Sequence, residues 1–266
     1  MIISASNTVK FILLAGAALL LTGCSSDMLT YSQDAKHAGI REYNDGRYPE
    51  ASGSFRNAVR QDPTDPEAQY WLGMSEEQTH SSHEAIVAYK TALGLMPKAG
   101  SARFDRSLYD NTFDRLAKVI AETDASNTET DLLVKTAAEK NSPEQYQLLG
   151  RICRYRGDAD TALEDYHRSL ALDTGNFATQ KELGLYLQQL SQNQQAAQVL
   201  RDAYRINQRD DAVNEGLRRL GIVPGPALLA QDQIARPLMP NGPIPDLVAP
   251  AAHTAGPAAD SNAPRD

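Results

Sequence analysis

The chain is poor in the residues from which most enzyme chemistry is built. Only two cysteines, Cys24 and Cys153, stand in 266 residues, so no disulfide framework or thiolate cluster can be assembled. Five histidines are scattered at 37, 80, 83, 167 and 253. Only His80 and His83 are close, and a pair three apart without carboxylate or cysteine support is a poor metal site. No G-x-S-x-G, H-E-x-x-H or glycine-rich phosphate loop occurs. Cys153 occupies an inward helical slot and reads as a small buried thiol, not a nucleophile. The acids Glu76-Glu77 and Glu164-Asp165 read as solvated helix faces. The chain is therefore expected to be non-enzymatic, with no metal and no small-molecule substrate. Basic charge is scarce as well: 26 Lys and Arg against 34 Asp and Glu give a net charge of -8. That balance excludes nucleic acid as a partner, because its binding rests on neutralising phosphates, and broad electrostatic adhesion to anionic lipid.

What is present starts at the N-terminus. Residues 1–10 carry one basic side chain, Lys10, and no acid; Phe11 to Leu21 is apolar but too short to span a bilayer. A basic start, a short apolar run and small residues describe a signal peptide over 1–23. The run Leu21-Thr22-Gly23-Cys24 resembles the bacterial lipobox. That resemblance implies cleavage before Cys24 and diacylation of its sulfur, a covalent lipid that is the only attached group expected. Several acyl chains on one residue make a stable anchor, at about 0.8 kcal/mol per buried CH₂. Ser25, Ser26 and Asp27 after the cysteine imply sorting to the outer membrane, facing the periplasm. An ordinary cleaved signal with a chance cysteine is the other reading. Residues 24–34 are expected to be a lipidated linker, reaching at most about 40 Å when extended.

A repeat occupies the middle of the chain. Gly39, Ala51, Phe55, Ala58 and Pro63 form one set; Gly73, Ala85, Tyr89, Ala92 and Pro97 form a second, 34 positions on. Gly150, Ala162, Tyr166 and Ser169 form a third, and Gly184, Ala196, Leu200 and Ala203 a fourth, again 34 positions later. Small residues at helix crossings let axes approach the near end of the usual 8–10 Å range, and the aromatic fills the space beside them. Turn residues lie between the two helices, as in Asn44-Asp45-Gly46 and Arg156-Gly157-Asp158; Pro63 and Pro97 close their repeats because proline cannot continue a helix interior. This register resembles the tetratricopeptide repeat, which implies an all-α solenoid with four clear repeats at 35–66, 67–98, 143–175 and 176–209. Between them, 99–142 is helical in pattern, with Tyr109, Phe113, Leu116, Ala117 and Ile120 on one face and a polar break from Thr123 to Thr130. It is read either as one divergent repeat or as a helical hairpin linking two repeat pairs. Residues 211–220 are expected to form a solvating capping helix that ends the domain at 221.

Residues 222–266 hold nine of the 14 prolines and too little apolar surface to offset ordering entropy, so a disordered tail is expected. Leu228-Leu229 and Ile244-Pro245-Asp246-Leu247-Val248 are apolar islands within it, read either as solvated remnants or as docking peptides.

In the repeat family the first helices line a groove that holds protein segments. Carried over position by position, the lining is Lys36, Ile40, Tyr43, Tyr70, Met74, Glu77, Gln147, Arg151, Arg154, Tyr155, Lys181, Leu185 and Gln188. Its first half is aromatic and apolar, while Arg151, Arg154 and Lys181 suggest a carboxylate-bearing partner at the other end. A lipobox followed by such repeats resembles envelope lipoproteins that assist secretins: the TadD family of the tight-adherence (Flp) pilus and, more distantly, the type IV pilus pilotins PilF and PilW. The implied role is binding an outer-membrane secretin or another pilus-assembly subunit and helping it localise or multimerise. A general periplasmic scaffold, for peptidoglycan enzymes or another secretion system, is the alternative.

Overall fold

The computed structural model describes residues 24–97, 101 and 103–229. The expected signal peptide and the islands beyond residue 229 lie outside them. Eleven helices, a helical segment at 226–229 and no strands occur among the described residues, and the chain divides into two compact units at Thr123 and Asp124. The first unit contains α1 (Cys24–Asn44), α2 (Tyr48–Gln61), α3 (Pro66–Gln78), α4 (Ser82–Leu95) and α5 (Arg106–Thr123). The second contains α6 (Thr128–Lys140), α7 (Pro143–Arg156), α8 (Ala159–Leu172), α9 (Phe177–Gln189), α10 (Asn193–Ile206) and α11 (Asp211–Arg219).

Within each unit, consecutive helices pack as antiparallel hairpins: α1 with α2, α3 with α4, α7 with α8 and α9 with α10. The small–large register is the reason. A methyl built on Gly39 would lie 2.8 Å from the Phe55 ring, and one on Gly73 would lie 2.6 Å from the Tyr89 ring. The same construction gives 3.1 Å from Gly150 to Tyr166 and 2.7 Å from Gly184 to Leu200. Phe55, Tyr89, Tyr166 and Leu200 are fully buried, as are Ala51, Ala85, Ala162 and Ala196 one turn earlier on the same helices. Each hairpin is thus closed by a bulky side chain seated where its neighbour has none.

The turns repeat as faithfully. Gly46, His80, Gly157 and Ser191, each five residues before one of those alanines, all have φ between 60° and 80°. In each, the next residue's N–H bonds back five positions, from Arg47 to Glu42, Ser81 to Glu76, Asp158 to Cys153 and Gln192 to Leu187. This left-handed C-terminal closure is the Schellman arrangement. His80 is therefore a turn residue. The N-termini of α3, α7, α8, α9 and α11 are capped by Asp65, Ser142, Asp158, Asn176 and Asp210, whose side-chain oxygens accept main-chain N–H groups.

Three expectations are corrected. Helix α1 starts at Cys24, so residues 24–34 are helical, and the eleven steps from Cys24 to Ala35 span about 17 Å at 1.5 Å each, not 40 Å. The 99–142 segment is divided between units, with α5 packing on α4 and α6 packing on α7. The tail does not begin at 222: Leu228 is buried with Leu200, Ala203, Tyr204, Val213 and Leu217, and Ile222 and Leu229 pack beside it. The apolar face of helix α11 is covered by residues 222–229, of which 226–229 are helical.

Candidate functional site

The first-helix side chains proposed as a groove lining fall into two groups. In the first unit, α1 contributes Ile40 and Tyr43, both half-buried, and α3 contributes Tyr70, also half-buried. The Tyr43 ring lies edge-on to Tyr48 at 5.1 Å and to Trp71 at 5.4 Å, and Tyr70 meets Trp71 at 5.7 Å. Met74 is buried and belongs to the core. Glu77 accepts from the Tyr89 hydroxyl at 2.9 Å and from Arg115 of α5 at 3.0 Å. Burial pushes the Tyr43 and Tyr70 phenols above their ordinary range, with Arg115 pulling the other way. Both rings are therefore neutral hydroxyl donors near neutral pH.

Lys36 is buried and clasped between Asp65 and Glu67, each at 2.8 Å. Asp65 is also the N-cap of α3, so one carboxylate holds both the start of a helix and the cation of the preceding repeat. Lys181 repeats the device in the second unit, reaching Asp210, the N-cap of α11, at 3.2 Å. Both pairs are separated by 29 residues.

In the second unit the expected carboxylate-binding end is corrected. Arg151 is buried, and its Nε donates to Glu182 at 3.0 Å with a second guanidinium nitrogen on the same carboxylate. Gln147 donates to Glu182 at 2.8 Å. Arg151 and Lys181 are thus neutralised by acids of the neighbouring repeat. They fall at the expected slots, but hold repeats together instead of presenting charge. Arg154 is different. It stands over the rings of Tyr155 and Tyr186, at 5.5 and 5.9 Å, with no carboxylate partner among the described residues. Tyr155 is exposed, Leu185 approaches Gly216, and Gln188 donates to the Gly216 carbonyl at 3.1 Å. Sequence reading missed Arg115, Trp71 and Tyr48. The recurrence of an acid 29 residues after a first-helix lysine is a signal that would have found Asp65 and Asp210.

Two acids expected on solvated faces are buried. Glu76 is 2% exposed and accepts from Ser52 and Arg56, both at 2.7 Å. Asp165 is 1% exposed, with the Cys153 thiol as a weak donor at 4.0 Å. Burial pushes the Cys153 thiol up to about 12, which makes it an inert core group. Burial likewise pushes Asp165 up to about 7; Arg168 opposes the rise, and Glu164 and Asp158 add to it. The folded chain therefore keeps a proton that the unfolded chain, at an ordinary aspartate value near 4, releases. Stability from this group is complete below about pH 4 and is lost as pH climbs through 7. Asp165→Asn should raise the melting temperature of the second unit by several degrees at pH 8 and change it little at pH 5. Equal shifts at both pH values would remove Asp165 as the origin.

Among the described residues no group of three His, Cys, Asp or Glu is placed to hold a metal ion, and none of their helices is long and apolar enough to cross a membrane. A polar cluster does order the loop before α6. Asp124 accepts from the Thr130 N–H and hydroxyl at 2.9 and 2.8 Å, and Arg156 of α7 donates to the Asp124 carbonyl and to Asn127. Burial would raise the Asp124 carboxyl, but these hydrogen bonds and Arg156 hold it below its ordinary value. The cluster is structural.

The tetratricopeptide repeat family profile matches residues 38–102, from the last turns of α1 through α4. No curated protein sequence matches the chain. Solved structures similar in fold include MamA from Desulfovibrio magneticus RS-1, at 16% identity and a TM-score of 0.36, covering 68% of this chain and 97% of that one. YrrB, described as a tetratricopeptide protein with an unusual peptide-binding site, has 16% identity and a TM-score of 0.36 over 69% of this chain and 90% of its own. PilF of Pseudomonas aeruginosa has 16% identity and a TM-score of 0.36 over 78% of this chain and 99% of its own. The described residues are all-α, with tetratricopeptide-type hairpins matched by the profile over 38–102.

Proposed function

We propose that this chain is a lipid-anchored adaptor of the outer membrane, facing the periplasm, whose repeats hold a segment of an envelope protein. We infer further that this partner is a secretin subunit of a tight-adherence (Flp) pilus, which the adaptor helps to localise or assemble. The observation that carries the binding role is the Tyr43–Tyr70–Trp71 face. Its half-buried rings are braced by one another, so little side-chain entropy remains to be lost on binding. The sequence supports the address: an apolar run ending in Leu21-Thr22-Gly23-Cys24, with Cys24 as the site of the covalent lipid. Because α1 begins at Cys24, its first groove residues follow within about 25 Å of the anchor, close to where a secretin would sit.

Cys24→Ser should leave the helical content unchanged and move the protein from the membrane to the soluble fraction; membranes that still hold the variant would contradict the anchor. Tyr43→Ala with Tyr70→Ala should abolish partner capture from detergent-solubilised envelopes. If deleting the gene leaves secretin multimers and surface fimbriae intact, the secretin role is rejected and a general periplasmic scaffold takes its place.

A further inference from the structure

The aromatic face of the first unit is lopsided in its hydrogen bonding. Tyr43 and Tyr70 flank Trp71 with ring centroids 5.4 and 5.7 Å away, and Tyr48 extends the row beyond Tyr43 at 5.1 Å. All four rings keep part of their surface in water. Phe55 stacks on Trp71 and Tyr89 leans on Tyr70, each at 6.1 Å, so the row is braced from the core side. The Tyr43 and Tyr70 hydroxyls and the Trp71 indole N–H have no hydrogen-bond partner among the described residues, and none of the three is sealed from solvent. The carboxylate beside them is already used on both oxygens: one accepts from the Tyr89 hydroxyl, the other from Arg115. The same pairing neutralises Arg115. The face therefore offers flat rings and unused donors, with the charges beside it already matched.

Its complement is an uncharged, extended segment with carbonyls to spare and few N–H groups of its own. A β-type segment would bring an N–H at every residue and find few acceptors. An α-helix spends its carbonyls internally. Proline carries a carbonyl and no N–H, and a polyproline II helix makes no internal hydrogen bonds, so its carbonyls stay available. Two of its turns span about 18 Å, enough to cross a row of neighbouring rings. We propose that the segment held by the Tyr43–Tyr70–Trp71 face is a proline-rich polyproline II stretch of the partner protein. Its pyrrolidine rings lie flat on the aromatic row, and its carbonyls accept from the two phenols and the indole. This rests on the functional reading of the same face and names the class of segment it holds. A polyproline II segment is ordered before it binds, so a braced row of rings meets a ligand with little entropy left to lose.

Trp71 is the only tryptophan, so its emission reads occupancy of the face in the full, detergent-solubilised chain. A decaproline peptide should shift that emission to the blue and reduce quenching by acrylamide, both saturably. Peptides of the same length built from serine and glutamine, from glutamate or from lysine should do neither. Tyr43→Phe with Tyr70→Phe keeps the rings and removes the hydroxyls; with helicity unchanged by circular dichroism, it should weaken decaproline binding by about tenfold. The proposal is overturned if decaproline has no saturable effect, if the serine and glutamine peptide binds as well, or if the double phenylalanine variant keeps full affinity. Capture of the envelope partner by Tyr43→Ala with Tyr70→Ala is measured in parallel. If decaproline fails while that variant loses capture, the class of segment is wrong and the binding face stands. If capture persists in that variant, the functional reading of the face falls and this proposal falls with it.

Discussion

Gly73→Ala should destabilise the first unit by about 1–3 kcal/mol, whereas the same change at Gly53 should stabilise it by about 0.5–1 kcal/mol. Both glycines lie inside helices of one unit, so alanine lowers unfolded-chain entropy equally at each and improves helix propensity by up to about 1 kcal/mol. What differs is the space. A methyl on Gly73 would stand 2.6 Å from a Tyr89 ring carbon, while one on Gly53 would meet nothing within 4 Å. The Tyr89 ring cannot withdraw, since it is fully buried and its hydroxyl is held by Glu77 at 2.9 Å. Urea unfolding of the two variants compares them directly. Tyr89→Leu in the Gly73→Ala background should recover part of the loss, because the two positions share one contact. The effect should be graded along the repeats: severe at Gly39 and Gly184 and milder at Gly150, where the nearest ring atom is 3.1 Å away. A Gly73→Ala chain as stable as Gly53→Ala would mean that close helix approach is not what fixes the register.

That register was legible in the sequence because it is a contact requirement, and a contact made at the same place in each hairpin leaves residues at a constant spacing. The turns were legible by half. Gly46 and Gly157 advertise positive φ, but Ser191 adopts it with a side chain that does not favour it, and only the five-residue offset from the alanine reveals it. The burial of two acids was not legible. Glu76 and Asp165 stand beside Glu77 and Glu164 in the sequence, and a single acid says nothing about which side of a helix it occupies. Arg115 was hidden for another reason: it reaches Glu77 across 38 residues, from a helix that lies outside the 34-residue register. The tail's beginning misled through composition. Proline content argues for entropy, yet one well-placed Leu228 finds an uncovered apolar face on α10 and α11.

The second large effect concerns Glu182. Glu182→Ala should destabilise the second unit by about 1–3 kcal/mol, because it removes the buried carboxylate to which Arg151 and Gln147 donate; at about 2–4 °C per kcal/mol this is on the order of 5 °C in melting temperature. The side chains of Arg151 and Glu182 are only 8% and 13% exposed, so solvent cannot replace the lost partner. Gln147 would lose its acceptor in the same step. Removing both charges is a different experiment. Arg151→Met with Glu182→Leu should be close to neutral, since burying two ions costs nearly as much as their attraction returns. If Glu182→Ala and the double variant prove equally destabilising, the pair contributes by packing and not by charge. The distinction bears on binding, because charge reversal at Arg151 would weaken any partner by damaging the repeat interface. Arg154 is the informative position: its guanidinium rests on Tyr155 and Tyr186 alone among the described residues, so Arg154→Ala should cost no more than about 1 kcal/mol of stability. Any larger fall in partner affinity at Arg154 then reports recognition and not folding.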